Sequence, residues 1–512
     1  MKRWLQGFWK WLKTGPDQVT KPKGVPGSLI RKGTEAQAPK RPPTLARKEV
    51  PAGIRRSKAP IHYQLGIDFG TSATKVAYQQ LGARVEMVRP LLVGHSLRHY
   101  PTYCIPSVAA FEKSGRFLLG AEAETYLANK RWDFGLRFLK LVFAGRYERR
   151  FFDPAVNDTF EENLRTAGVV SSGYEIDHIV VAFLAYVMNR ARDALHRKFQ
   201  DSNIDLLFNV CLPIDHVEDN VIRPAFEKVL RVSQAIEGQW RDGWSLNDML
   251  EKSRELYQIG ESLPAGEEIK VFLIPESVGA IATYLGSLRV RDGIHAVYDI
   301  GAGTTDLSIF NMCNVRKSNA VAYWYAARNL PMGTQRIERI LAHNIKSSVS
   351  KSDGATGAEI ATWMTGLADS SLELKERIRQ ELCLIWEEAR KTWREAYGHL
   401  KTQREWERDK VHVFLCGGGA RMPFVKEIFC QSWMNEGGQN WGPYPIGVLP
   451  EPDEYGTLRS AVPFERMCVA YGLTTPKLEM SEYRLPADCP NHTPDKRLKP
   501  RGPTYGSDNP DT

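Results

Sequence analysis

Residues 65–78 read LGIDFGTSATKVAY, and this stretch predicts two strands joined by a tight turn. The apolar residues before the turn alternate around Asp68, and apolar residues after it alternate again, as in strands with one buried face. Gly70 permits a sharp turn close to a ligand, and the hydroxyl residues Thr71 and Ser72 follow it. The stretch therefore predicts a β-hairpin whose turn carries polar groups.

This order of elements differs from that of the common phosphate-binding motifs. A dinucleotide fold or a P-loop runs from strand to glycine turn to helix, and it binds phosphate at the helix N-terminus. In residues 65–78 a second strand follows the turn instead. Backbone N–H groups and the two hydroxyls of the turn would then bind the phosphate, with Asp68 placed for a metal ion. Glycine-threonine-serine turns also occur in ordinary hairpins, so one copy alone is weak evidence.

A second copy of the pattern occurs at residues 296–309, which read AVYDIGAGTTDLSI. Here Asp299 ends a predicted strand, a turn of glycine and threonine follows, and a second strand leaves the turn. Two copies predict an α/β protein in which two similar halves face each other and offer one hairpin each to a shared cleft.

Composition sets the broad class. The chain has 512 residues, of which 42% are hydrophobic and 25% are charged, so it is long enough for two or more domains with sizeable cores. It has no run of about 18 apolar residues, which argues against a transmembrane helix. The eight cysteines contain no C-x-x-C pair and several lie in apolar runs, so we expect reduced thiols in a cytoplasmic protein and no zinc site.

The positive charge is concentrated at the N-terminus. The whole chain has a net charge of +9, but residues 1–60 contain 15 Lys and Arg against 3 Asp and Glu. The rest of the chain carries 54 basic and 57 acidic groups. This distribution argues against a nucleic-acid-binding core and favours contact between the basic segment and an anionic surface.

Residues 1–13 read MKRWLQGFWKWLK and predict an amphipathic helix. Its aromatic and apolar residues fall on one side of a helical wheel and its cations on the other, as in helices that lie on anionic membranes. Docking on a partner protein is the first alternative, and an organelle transit peptide is the second. Residues 14–60 are rich in Pro, Gly, Lys and Arg, and they predict a disordered linker.

Several further segments have clear patterns. Helical periodicity covers residues 174–199, 219–232 and 371–408, and short apolar runs predict buried strands at 205–213 and 411–416. Residues 233–268 carry no recognisable chemistry. From residue 477 the chain is polar and rich in proline, which predicts disorder.

Two segments supply further candidate site residues. Residues 271–284 predict a strand, a turn and a helix, with Glu276 at the strand end; a carboxylate that favours the first turn of a helix is the alternative explanation. Residues 417–423 read GGGARMP and follow a strand, so backbone could approach a flat ligand closely, and Arg421 could stack on or border a base.

Together these motifs resemble the actin and sugar-kinase ATPase superfamily, and most closely the nucleotide-binding domain of the DnaK-type heat-shock ATPases. The match covers residues 61–476. Residues 66–72, 299–306 and 417–423 resemble the family's first phosphate, second phosphate and adenosine motifs, in that order. The resemblance implies an actin-like fold of two lobes, duplicated ribonuclease-H-like domains around a nucleotide cleft. The lobes would be residues 61–284 and 285–476, with a disordered tail at 477–512.

The resemblance also implies ATP and Mg²⁺ as ligands. Asp68 and Asp299 would be catalytic and would hold the metal's waters. The residues around the phosphates would be Gly70, Thr71, Ser72, Gly301, Gly303 and Thr304, and those around the nucleoside Gly417, Gly418, Gly419 and Arg421. Glu276 would orient the attacking water and Lys140 would contact phosphate, although the family reads Glu-Pro where this chain reads Pro275-Glu276.

Three functions are compatible with this resemblance. The first is an ATP-binding, ATP-hydrolysing conformational switch that acts on an unidentified protein partner, cytoplasmic or peripheral to a membrane. The second is a membrane-anchored actin-like ATPase that polymerises, and the third is a metabolite kinase, for which no sugar-binding acid signature is present. A DnaK-type chaperone continues into a peptide-binding domain, whereas 36 residues follow Pro476 here, so we expect no general chaperone activity.

Overall fold

The computed structural model describes most of the chain between residues 60 and 489. The described residues are 60–83, 88–94, 101–112, 114–129, 135–151, 161–166, 173–200, 203–239, 245–259, 269–316, 320–337, 340, 372–422, 424–434, 442–452, 455, 462–476 and 482–489. The predicted helix at 1–13, the linker at 14–60 except Pro60, and residues 490–512 of the predicted tail lie outside the described residues.

The strands of the described residues lie as follows in chain order. They are β1 (Ile61–Asp68), β2 (Ala73–Gln80), β3 (Arg89–Pro90), β4 (Cys104–Pro106), β5 (Val108–Phe111), β6 (Phe117–Leu119), β7 (Gly135–Arg137), β8 (Ile204–Leu212), β9 (Val271–Pro275), β10 (Gly293–Ile300), β11 (Thr305–Cys313), β12 (Val321–Leu330), β13 (His412–Cys416), β14 (Ile446–Gly447) and β15 (Glu482–Arg484).

The helices of the same residues are α1 (Gly120–Asn129), α2 (Leu139–Tyr147), α3 (Ile176–Lys198), α4 (Ile214–Glu218), α5 (Ile222–Gln239), α6 (Leu246–Ile259), α7 (Glu276–Leu285), α8 (Leu372–His399), α9 (Val425–Phe429) and α10 (Phe464–Gly472). The predicted α/β class is therefore confirmed. None of these helices has the length and apolar character needed to cross a membrane.

Two sheets of six strands repeat one pairing scheme. The first has the order β3-β2-β1-β8-β9, with β4 also paired to β2; the second has the order β14-β13-β10-β11-β12-β15. In each sheet a hairpin, β1–β2 or β10–β11, is antiparallel. In each, the first hairpin strand then pairs in parallel with a later strand, β8 or β13, which pairs in parallel with the next. A third sheet has the order β6-β5-β7.

The long predicted helices cover the two large sheets. The apolar face of α3 is buried under the first sheet, where Phe183 lies 5.8 Å from Phe69, measured between ring centroids. The apolar stripe of α8 is buried under the second sheet, where Trp393 Nε1 donates a hydrogen bond of 2.8 Å to Tyr298 Oη. These helices belong to the core, as their periodicity indicates.

Helices α7 and α10 connect the two large sheets through a third core cluster. This cluster contains residues of both sheets together with apolar residues of the two helices. Glycines allow very close packing here: a Cβ on Gly472 of α10 would lie 2.0 Å from the Gly279 carbonyl oxygen of α7, and one on Gly66 of β1 would lie 2.1 Å from the Ala470 carbonyl oxygen. Thus α10 packs on β1, although it follows all strands of the second sheet except β15.

Local predictions need two corrections. The predicted disorder from residue 477 is wrong for residues 482–489, because β15 pairs in parallel with the edge strand β12 and Tyr483 packs on Trp324. The helix α7 follows β9 directly, without the predicted turn, because Pro275 already has the extended backbone of a helix N-cap. Residues 233–268 include the end of α5 and all of α6.

Candidate functional site

The first hairpin turn is closed by its own backbone and supported from behind. Gly70 N–H donates to the Asp68 carbonyl, with 3.0 Å between nitrogen and oxygen. A Cβ on Gly70 would lie 2.4 Å from the Ala73 carbonyl oxygen, so only glycine fits this turn. Ser107, which follows β4, donates its hydroxyl to the Gly70 carbonyl over 2.7 Å. The turn is thereby held while its outer side remains open.

The second hairpin turn is held by the segment after β12. Gly301 N–H donates to the Thr304 carbonyl over 2.9 Å, closing the turn. Thr334 N–H then donates to the Gly301 carbonyl over 3.0 Å, and Gln335 N–H donates to the Ala302 carbonyl over 2.9 Å. A Cβ on Gly333 would lie 2.4 Å from the Ala302 carbonyl oxygen, so glycine is required for this close approach.

The third glycine segment, which follows β13, packs directly on the acid of the second hairpin. Gly417 has a φ of 80°, and a Cβ there would lie 2.2 Å from Asp299 Oδ1. A Cβ on Gly419 would lie 2.4 Å from Ile300 Cγ2. Gly417 N–H donates to the Glu465 carbonyl over 2.9 Å, which ties this segment to the start of α10.

All three glycine segments line one cavity, which is open to solvent. Of the predicted site residues, those that line it are Asp68, Gly70, Thr71, Ser72, Lys140, Glu276, Asp299, Gly301, Thr304, Gly417, Gly418 and Gly419. Gly303 does not line it but joins the hairpins, since a Cβ there would lie 2.7 Å from Thr71 Cγ2. Arg421 is exposed and is not among the residues that line the cavity, so its predicted contact with a base stays a prediction.

Two buried ion pairs lie in the wall of the cavity. Lys75 Nζ is 2.6 Å from Asp68 Oδ2, and Lys140 Nζ is 2.6 Å from Glu276 Oε2. Burial alone would lower the pKa of both lysines, but the charges of Asp68 and Glu276 raise the pKa above its ordinary value in each case. Both lysines are therefore held as cations.

Two further carboxyl groups of the cavity, Asp299 and Asp306, lie near other negative charges. Burial, followed by the charges of Glu276 and Asp68, raises the pKa of Asp299 to about 7. Burial and then the charge of Glu276 raise the pKa of Asp306 well above its ordinary value. These shifts mean that the cavity favours a proton or another cation near Asp299 and Asp306.

A metal ion would find oxygen ligands at the floor of the cavity. Among the described residues, ligand atoms of Asp68, Glu276 and Cys211 lie within 4.8 Å of one another. Burial raises the pKa of the Cys211 thiol well above its ordinary value, so the thiol stays protonated and is a poor ligand. The two carboxylates fit a hard cation such as Mg²⁺, whereas Asp299, the other predicted metal residue, is not part of this group.

Sequence reasoning missed several residues of the cavity, and two of them carry a recognisable signal. Lys75 faces Asp68 across the first hairpin, and Asp306 faces Asp299 across the second. In a tight hairpin the turn fixes which residues face each other, so both could have been found by counting outward from the turns. Glu465 and Arg466 also line the cavity, but no sequence pattern connects them with residues nearly 400 positions earlier.

Comparison with known proteins gives no assignment. The chain matches no protein-family model and no curated protein.

Proposed function

We propose that this chain binds ATP together with Mg²⁺ in the cavity, hydrolyses the ATP, and acts as a nucleotide-dependent conformational switch on a protein partner. The proposal rests mainly on one observation: two glycine hairpin turns and a third glycine segment, far apart in sequence, open into a single cavity. Unhindered backbone N–H groups at such turns are a general means of binding phosphate oxygens.

The repeated strand pairing supports a finer interpretation of the fold. We interpret the two six-stranded sheets as the cores of two similar lobes of an actin-like ATPase. Each sheet contributes its hairpin turn from the same position in the pairing scheme. Two equivalent turns facing one cavity are expected when a phosphate-binding half has been duplicated.

The charges of the cavity predict that nucleotide binding requires a cation. Its lining contains the five carboxylates Asp68, Glu276, Asp299, Asp306 and Glu465, against the three cations Lys75, Lys140 and Arg466. A polyphosphate would enter an already acidic site, and a divalent cation offsets that repulsion. Asp68 and Asp299 would hold Mg²⁺ through its waters, and the ion would supply charge neutralisation for the transferred phosphoryl group.

Glu276 and Lys140 have the chemistry needed beside the phosphoryl group that is transferred. Glu276 would orient and polarise the attacking water, and Lys140 would stabilise the negative charge on the phosphoryl oxygens. Phosphoryl transfer depends on positioning and charge stabilisation more than on covalent catalysis, so these groups are sufficient in kind. The hydroxyls of Thr71 and Thr304 would hold the phosphate on either side.

The central test is calorimetric titration with Mg·ATP and Mg·ADP, combined with measurement of phosphate release. We expect saturable binding that is lost when EDTA removes Mg²⁺, and slow ATP turnover. The variant Asp299→Ala should lose Mg-dependent binding, whereas Asp409→Ala, which changes an exposed acid, should behave like wild type. Absence of nucleotide binding to the wild-type chain would refute the proposal.

Two further measurements separate this function from its alternatives. Filaments that form with ATP and are detected by light scattering would favour an actin-like polymer over a switch. ATP consumption that occurs only after a small metabolite is added would favour a kinase. A switch predicts binding and turnover without either result.

A further inference from the structure

Arg466 is a buried cation that the sequence motifs do not include. It is the third residue of α10, it is only 8% exposed, and it lines the cavity. It reaches the cavity because α10 packs on β1 and is tied to the third glycine segment by the bond between Gly417 N–H and the Glu465 carbonyl.

Arg466 differs from the other two cations of the cavity in having no carboxylate partner. Within the part of the chain that the structure describes, Lys75 is paired with Asp68 and Lys140 with Glu276, but no acid lies within ion-pair distance of Arg466. Its side chain contacts Cys104 Sγ, at 4.0 Å from Nη2, and the ring of Tyr103, whose centroid is 5.8 Å from Cζ. Neither contact neutralises the charge.

Burial of the Arg466 guanidinium without an acid partner among the described residues needs an explanation. Removing a charge from water is costly unless an opposite charge or several hydrogen bonds replace the water. A thiol at 4.0 Å and an aromatic ring replace little of that hydration. Arg466 also lines the cavity, where a bound anion would supply the charge that no described acid supplies at ion-pair distance.

We propose that Arg466 is an anion-binding residue of the cavity that holds the inner phosphates of the bound nucleotide. This inference rests on the proposed function for the identity of the nucleotide, but the unpaired guanidinium itself indicates a phosphate-class anion. The planar guanidinium can donate two parallel hydrogen bonds to one phosphate group, a geometry that lysine cannot reproduce.

The position of Arg466 indicates that it binds the inner phosphates and does not contact the phosphate that is transferred. It lies beside the turn end of the first hairpin, since Cys104, which it contacts, is the strand neighbour of Lys75. Its helix is bonded to the segment that begins at Gly417. A smaller neighbouring cavity is lined by Thr71, Thr304 and Lys140 but not by Arg466. Arg466 should therefore contact phosphates that ATP and ADP share.

The test compares Arg466→Met and Arg466→Lys with wild type by calorimetry, using Mg·ADP, Mg·ATP and inorganic pyrophosphate as probes. For Arg466→Met we expect affinity for ADP and ATP to fall by a similar factor, about ten- to a hundredfold, as for loss of a charged hydrogen bond. The affinity of Arg466→Lys for ADP and ATP should lie between those of Arg466→Met and wild type. Arg394→Gln, which changes an exposed arginine of α8, should bind like wild type.

Thermal unfolding distinguishes this role from a structural one. Since no acid among the described residues lies within ion-pair distance of Arg466, the Tm of nucleotide-free Arg466→Met should equal or exceed that of wild type, while Mg·ADP should raise its Tm less than that of wild type. Arg192→Met is the opposite control, because Arg192 pairs with the buried Glu237, and its nucleotide-free Tm should fall.

The outcomes separate this inference from the proposed function. If wild type binds nucleotide and Arg466→Met binds it equally well, or if Arg466→Met lowers the nucleotide-free Tm as much as Arg192→Met does, the inference is overturned and the proposed function stands. If wild type binds pyrophosphate through Arg466 but no nucleotide, the inference stands and the proposed function fails. If wild type binds none of the probes, both fail.

Discussion

Charged residues of the cavity form ion pairs, and the hairpins and helices bring the partners together. Lys140 and Glu276 come from α2 and from the first position of α7, and they form an ion pair in which both side chains are 8% exposed. In the nucleotide-free protein each neutralises the other. A phosphate near Lys140 would compete with Glu276 for the ammonium, which would free the carboxylate to act on water.

We expect substitutions at Lys140 and Glu276 to have strongly non-additive effects on the free energy of unfolding. Lys140→Met should lower the free energy of unfolding by about 3–5 kcal/mol, because Glu276 would be left buried without a cation. The double variant Lys140→Met/Glu276→Met should recover most of that loss, and urea unfolding of all four proteins of the cycle measures the coupling.

An exposed pair provides the matched control for this cycle. Arg328 and Glu395 lie 3.1 Å apart but are nearly half exposed, so Arg328→Met should cost under about 1 kcal/mol. Equal costs at Lys140 and Arg328 would contradict the buried ion pair.

At the scale of elements, β10 carries a buried histidine whose protonation limits stability in acid. His295 Nδ1 donates to the Gly293 carbonyl over 2.8 Å, so the ring's Nε2 accepts from Tyr284 Oη, also at 2.8 Å. The ring stacks on Phe310. Burial lowers the pKa of His295 to about 3, so the folded protein favours the neutral ring.

The lowered pKa of His295 predicts acid destabilisation with a definite sign. Because the folded pKa is below the unfolded value of about 6.5, the stabilising contribution is complete above pH 6.5 and is lost as pH falls toward 3. Between pH 6.5 and pH 5 this group should cost wild type about 2 kcal/mol of unfolding free energy.

Urea unfolding at several pH values measures that contribution. His295→Phe should be less stable than wild type at pH 7.5, since Tyr284 and Gly293 lose a partner, yet its stability should fall less on acidification. His196→Gln, which changes an exposed histidine of α3, should keep the wild-type slope. An unchanged slope in His295→Phe would contradict the prediction.

For the whole molecule, the important feature is how the two large sheets are joined. Helices α7 and α10 pack on each other at Gly279 and Gly472, and their cluster reaches both sheets. Both helices also carry cavity residues at their first turns, Glu276 on α7 and Arg466 on α10. A nucleotide that displaced Glu276 and Arg466 on binding would therefore change the packing of α7 and α10 between the sheets. A conformational switch requires such a change.

Residues 1–13 lead to a prediction about the intact chain. If this segment forms the predicted amphipathic helix, deleting it should reduce binding to anionic liposomes at least tenfold, because aromatic burial and the cations are lost together. Co-sedimentation with liposomes rich in phosphatidylserine measures this, and neutral liposomes are the control. Unchanged liposome binding after the deletion would contradict membrane contact through residues 1–13.

Much of the cavity could be predicted from short-range patterns. The alternation of apolar residues around Asp68 and Asp299 defines both hairpins, and the first turn needs Gly70 because a Cβ there would meet the Ala73 carbonyl, three residues later. Hairpin register even specifies Lys75 and Asp306. These features depend on contacts between residues close in sequence, so the sequence is sufficient to predict them.

Other features depended on packing between distant elements. Residues 482–489 look disordered by composition, yet β15 forms because β12 offers an unpaired edge and Trp324 a packing surface. Lys140 meets Glu276, and Arg466 enters the cavity, only because α2, α7 and α10 are brought together by the sheets. The sequence by itself determined the two turns and their acids, since neighbouring residues suffice for them. Tertiary structure alone decided that Lys140 and Arg466 reach the cavity, because their positions depend on which distant helices share it.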